Sequence, residues 1–113
     1  MKIIPTKTLV RHTPESTSTP PCDSWLQYWS ETLGVEVPES GDVICDCCGY
    51  YHPIREFVGA HVTDTITGTV YIYPTCDTCN KKYKESLAPE HPFYALIEWL
   101  CPLPPKQDNQ SDE

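Results

Sequence analysis

Two cysteine pairs constrain this chain more than any other feature. Cys45-Asp46-Cys47-Cys48-Gly49 contains C-x-x-C-G, and Cys76-Asp77-Thr78-Cys79-Asn80 contains C-x-x-C-N. Two intervening residues let a tight turn present both sulfurs to one ion. Two such turns complete a tetrahedral thiolate shell at metal–sulfur distances of about 2.3 Å. Paired C-x-x-C knuckles are a strong signal for zinc, ahead of an iron–sulfur cluster or disulfides. The position after each pair often requires positive φ, which glycine adopts freely and asparagine tolerates. We therefore expect one structural zinc ion on Cys45, Cys48, Cys76 and Cys79. Cys47 is an alternative to Cys45 or Cys48, but the spacing favours those two. Cys22 and Cys101 read as ordinary buried or free thiols, and His52 as a substitute ligand that four sulfurs make unnecessary.

A metal is also expected on energetic grounds. Residues 13–22 read TPESTSTPPC and residues 104–113 read PPKQDNQSDE, both too polar to bury a core. This divides the chain into an extended or disordered segment 1–22, a globular domain 23–103 and a disordered acidic tail 104–113. A core of that size is marginal without a staple. No apolar run is long enough to span a bilayer, and the first ten residues lack the apolar segment of a secretory signal. The expected compartment is the reducing cytoplasm, where clustered cysteines bind metal more often than they form disulfides.

Local signals place the elements. Residues 23–34 form a helix: Ser24 and Gln27 make a capping box, Gly34 suits the C-cap, and Leu26, Trp29 and Leu33 share a face beside Trp25. Residues 56–74 read as a hairpin, with Phe57, Val58, Val62 and Ile66 on the first arm, Gly68 at the turn and residues 69–73 on the second. A helix starts near the second cysteine pair and runs toward residue 87. The stripe Phe93, Leu96, Ile97, Leu100 predicts a last helix over 89–101, packed against the tryptophan-bearing one. The expected class is α+β: a small zinc-stapled domain with a central hairpin and flanking helices.

The run Gly59-Ala60-His61-Val62, then a hairpin, then Tyr73-Pro74-Thr75-Cys76-Asp77-Thr78-Cys79-Asn80, resembles the zinc-containing treble-clef proteins of HNH type. The resemblance covers residues 45–84. It implies a C-x-x-C knuckle ahead of a histidine-bearing strand, and a second C-x-x-C-N knuckle opening a helix. In HNH nucleases the strand histidine activates water, and neighbouring acid, histidine or asparagine side chains hold a second metal. Carried over, His61 matches the general base and Asn80 lies near the helix ligand. Ala60 stands where an acid or histidine is usual, and Asp64, as i+3 on an alternating strand, should face away. A structural role for His61, with its ring bonded to backbone or to a zinc-bound sulfur, is the competing reading.

Charge bears on partners. The net charge is −8, and between His12 and Cys79 there are ten acids against Arg55 alone. Such a chain is not drawn to nucleic acid or anionic membranes by charge. Lys81, Lys82 and Lys84 follow the second pair and form either a solvated helix face or a phosphate contact. The main expectation is a non-catalytic module that binds a protein, using aromatic helices or Tyr50, Tyr51, Tyr71 and Tyr73 as contact surface. The alternatives are a metal-dependent nuclease using His61, and nucleic-acid binding without cleavage through the three lysines.

Overall fold

A computed structural model describes residues 6–14, 19–84 and 90–104. Strand β1 (Lys7–His12) precedes helix α1 (Trp25–Leu33), and short strands β2 (Asp42–Ile44) and β3 (Tyr51–Pro53) follow. The long hairpin arms are β4 (Phe57–Asp64) and β5 (Val70–Cys76). They lead into helix α2 (Asp77–Tyr83), then β6 (Phe93–Leu96) and β7 (Cys101–Pro102). Five strands form one antiparallel sheet in the order β6-β1-β4-β5-β7, while β2 and β3 pair separately. The class is α+β, with two helices among the described residues. No helix there is long and apolar enough to cross a membrane.

Local chemistry accounts for α1 and the hairpin. The Ser24 hydroxyl accepts the Gln27 amide at 3.0 Å, satisfying one of the orphan donors of the first turn. Gly34 ends α1 in the left-handed region at φ 69° and returns its amide to the Ser30 carbonyl. At the hairpin tip Asp64 Oδ1 accepts the amides of Ile66 and Thr67, so this carboxylate shapes the turn. Ile66 therefore sits in the turn, 83% exposed, and not on the first arm as expected.

The sheet is buried on both faces. Trp29 of α1 packs with Ile72 and Cys101 on one face. Val10, Ala60, Val62, Tyr73, Phe93 and Ala95 pack on the other side with the cysteines. Helix α1 lies unusually close to β4. A Cβ on Gly59 would fall 2.5 Å from the Trp25 carbonyl carbon and 2.6 Å from the Leu26 nitrogen, so this position accepts no side chain.

Several expectations fail here. Residues 93–100 are not a helix: Phe93 and Ala95 alternate inward while Tyr94 is exposed, and β6 pairs with β1 from Lys7↔Leu96 to Val10↔Phe93. Ladder hydrogen bonding wins over the helical stripe. Residues 97–99 make a 3-10 turn, and the expected contact with α1 survives through it. Trp29 Nε1 donates to the Trp99 carbonyl at 2.7 Å, and the two rings meet edge to face. Nor does the folded unit begin at residue 23, because β1 lies inside the sheet between β4 and β6, with Val10 and His12 buried. The expected acidic tail lies outside the described residues apart from Pro104. Residues 85–89, at the junction of the two expected C-terminal helices, lie outside them too.

Candidate metal centre

The first cysteine turn is built by backbone geometry. The Cys45 amide donates to the Tyr50 carbonyl at 2.9 Å, and the Gly49 amide to the Cys45 carbonyl at 2.7 Å. Gly49 closes the turn at φ 79°, as its place after the pair requires. The second pair sits at the junction of β5 and α2. Cys76 is the N-cap residue and Cys79 lies in the first helical turn, so the hairpin's second arm delivers both sulfurs to the first pair. The two turns are stitched together where the Cys76 amide donates to Cys45 Sγ at 3.3 Å.

The outcome is a cluster in which one sulfur each from Cys45, Cys48, Cys76 and Cys79 lies within 4.8 Å of all the others. Cys45, Cys76 and Cys79 are buried and Cys48 is partly so. Such a group could hold a metal ion. Burial pushes the Cys76 and Cys79 thiols up, since a lone thiolate in this interior is poorly solvated. Burial acts on Cys45 in the same sense, but amide donors from Cys76, Cys48 and Cys47 outweigh it and the net shift is downward. A bound cation would offset this penalty.

Several side chains stand against this cluster. His52 Nε2 lies 3.3 Å from Cys48 Sγ, and its Nδ1 lies 3.6 Å from Glu56 Oε1, so the ring stands beside the sulfur and leans on a carboxylate. Cys47 is buried next to the cluster, and burial raises its thiol to about 12, which keeps it neutral. His91 Nε2 lies 3.1 Å from the Cys47 carbonyl oxygen. Cys22 bonds locally to the Ser24 carbonyl, and Cys101 is buried beneath α1. The sequence did not reveal the role of Tyr73. Its hydroxyl donates to Asp46 Oδ2 at 2.6 Å and accepts the Leu96 amide at 2.9 Å. At 1% exposure Tyr73 is no part of a contact surface, in contrast to Tyr50 at 71% and Tyr51 at 69%.

His61 sits opposite Ile72 in the ladder and packs edge to face on Trp25 of α1 at 5.0 Å. It thus faces α1, while the next β5 residue, Tyr73, turns the other way toward the cysteine turn. Burial, and then the charge of Lys84, lowers the His61 pKa and favours the neutral ring. Asp64 falls on the other face, as the alternation predicted. Its Oδ1 is committed to the turn, and its Oδ2 accepts the Thr8 hydroxyl at 3.3 Å. Asn80 lines a shallow recess with Trp25 and Gly59. Lys81 pairs with Asp77 at 3.0 Å, and Lys82 lies over the Tyr83 ring. Among the described residues no second group of three or more His, Cys, Asp or Glu side chains comes within reach of one ion.

The fold and site define a small α+β domain organised around a four-cysteine cluster. Comparison with family models, with curated proteins and with solved structures returns no match.

Proposed function

We propose that this chain is a non-catalytic binding module, held together by one structural zinc ion and acting on another protein. The observation that carries the zinc reading is the four-sulfur cluster itself. A tetrahedral ion with zinc–sulfur bonds of about 2.3 Å sets its sulfurs roughly 3.8 Å apart, and the observed set is confined within 4.8 Å. Four thiolates fill the shell and leave no position for water or substrate, so the ion would supply folding free energy rather than chemistry. A cysteine turn, a histidine-bearing hairpin and a helix opening on the second pair follow in the order of the treble-clef, HNH-like group. That order supports assigning the chain to it.

The protein-binding half of the proposal is supported by the excess of acidic charge and by the exposed Tyr50 and Tyr51 beside the first cysteine turn. Metal analysis should find one zinc per chain, and purification of the tagged chain from its source cells should recover one protein in stoichiometric amount. A second reading, a metal-dependent nuclease, draws on the neutral state favoured at His61, which a general base requires. Against it, Ala60 offers no ligand and Asp64 is engaged in its turn. Incubation with supercoiled plasmid and Mg²⁺ or Mn²⁺ separates the readings. The plasmid should stay intact, and nicking that disappears in His61→Ala would establish the nuclease instead.

A further inference from the structure

An apolar groove of about 250 Å³ opens between α1, the segment 35–38, β2 and the 3-10 turn at Ile97–Trp99. Leu26, Val37, Ile44, Ile54 and Trp99 contribute to its walls. Its volume is below the range typical of pockets for drug-sized ligands and exceeds an engineered cavity that holds benzene. It therefore matches one large apolar side chain better than a metabolite. Ile44, on the rim, is 46% exposed.

The charge around the groove has one sign. Glu36 and Asp46 are the charged residues along its lining. Among the described residues neither pairs with a lysine or arginine, and the hydrogen bond to Asp46 comes from the neutral Tyr73 phenol. Glu31, Glu39 and Asp42 are exposed nearby in sequence, and residues 12–54 contain no lysine or arginine at all. An apolar slot with unpaired carboxylates at its edge favours a visitor that brings an apolar anchor and adjacent positive charge.

We propose that the groove binds a segment of a partner protein in which one large apolar side chain stands next to lysine or arginine. This rests on the binding-module reading above. Charge disfavours two other occupants. The chain's own tail, 104–113, carries three acids against one lysine and no large apolar residue, and a second copy would bring another net charge of −8 to an acidic face.

The test is selection from a random peptide display library on the full, zinc-loaded chain. Glu36→Lys and Ile44→Asp serve as groove variants, and Ile66→Asp, at the distant hairpin tip, as the control. Zinc content and thermal midpoint establish that each variant is folded. Enriched peptides should share an apolar residue beside lysine or arginine. Each groove variant should weaken the consensus peptide at least ~10-fold, with Ile66→Asp unchanged and added salt weakening binding. The proposal is overturned by an absence of enriched peptides, by enrichment lacking basic residues, or by indifference to both groove variants. Self-association lost in Ile44→Asp would assign the groove to a second copy and overturn it equally. So would an apolar small molecule that binds there while no peptide does. A cellular partner that binds both groove variants as tightly as the wild type would remove the groove and leave the module reading standing. Plasmid cleavage abolished by His61→Ala would remove the module reading whatever the peptides show.

Discussion

Tyr73 and Asp46 are joined by a 2.6 Å hydrogen bond that links the centre of the sheet to the first cysteine turn. The same hydroxyl accepts the Leu96 amide, so one buried oxygen ties β5 both to the first cysteine turn and to the end of β6. Tyr73→Phe removes both links while keeping the ring. It leaves the Leu96 amide short of an acceptor, a change that costs about 1–3 kcal/mol when the group is buried. Denaturant titration should show a loss of that order, and a chromogenic chelator should withdraw metal faster from the variant than from the wild type.

The cluster geometry assigns different fates to the seven cysteines. Replacing Cys76 with serine should abolish metal binding and unfold the domain, because thiolate–zinc sites contribute on the order of 10 kcal/mol to folding. Replacing Cys47, buried and neutral beside the cluster, should keep one metal per chain and reduce stability only modestly. Metal analysis and circular dichroism of both variants check this. A folded Cys76→Ser chain without metal would refute the structural role of the ion.

Gly59 is required by proximity. A methyl group there meets the backbone of α1 at 2.5 Å, and a helix backbone cannot rotate aside as a flexible side chain can. Gly59→Ala should force α1 off the hairpin and cost on the order of 3 kcal/mol, at the severe end of single substitutions. It should also perturb the fluorescence of Trp25, whose ring rests on His61. An unshifted thermal midpoint would show that the helix relaxes freely.

His12 makes stability depend on pH. It is 3% exposed, and both ring nitrogens lack a hydrogen-bond partner among the described residues. Tyr83 and Phe93 flank it. Burial, and then the nearby His91, lowers its pKa to about 4 from the ordinary 6.5. Above pH 6.5 the ring is neutral in both folded and unfolded chains, and the fold keeps its full stability. As pH falls from 6.5 toward 4, the unfolded chain takes up a proton that the fold refuses, and up to about 3 kcal/mol is lost. Acid would also protonate the thiolates of the proposed zinc site, so the comparison is with His12→Phe, which keeps the cysteines. Between pH 7 and 5 the variant should lose less stability than the wild type in denaturant titrations. Equal slopes would place the acid sensitivity elsewhere.

The elements legible in the sequence are those written in neighbouring residues. Ser24 and Gly34 bracket α1, Gly68 marks the hairpin turn, and the cysteine spacing identifies the four residues whose sulfurs come together. The missed elements owe their form to distant partners. Nothing within residues 7–12 announces an interior strand, because its hydrogen bonds come from β4 on one side and β6 on the other. Phe93, Leu96, Ile97 and Leu100 fit a helical stripe, yet so short an apolar run also fits a strand, and pairing with β1 decides between them. The roles of Tyr73 and Asp64 were hidden for the same reason, since a tyrosine's or an aspartate's bonding partner is not written beside it.

The position of β1 also has a consequence during synthesis. Lys7 pairs with Leu96, so a strand made before the rest of its sheet acquires its second neighbour only after nearly all of the described chain has emerged. The cysteine turns close over a much shorter stretch, and a metal captured there could anchor the hairpin while the first strand still waits. A nascent chain stalled before β6 would leave one edge of β1 unpaired, and such an edge is a template for association between chains.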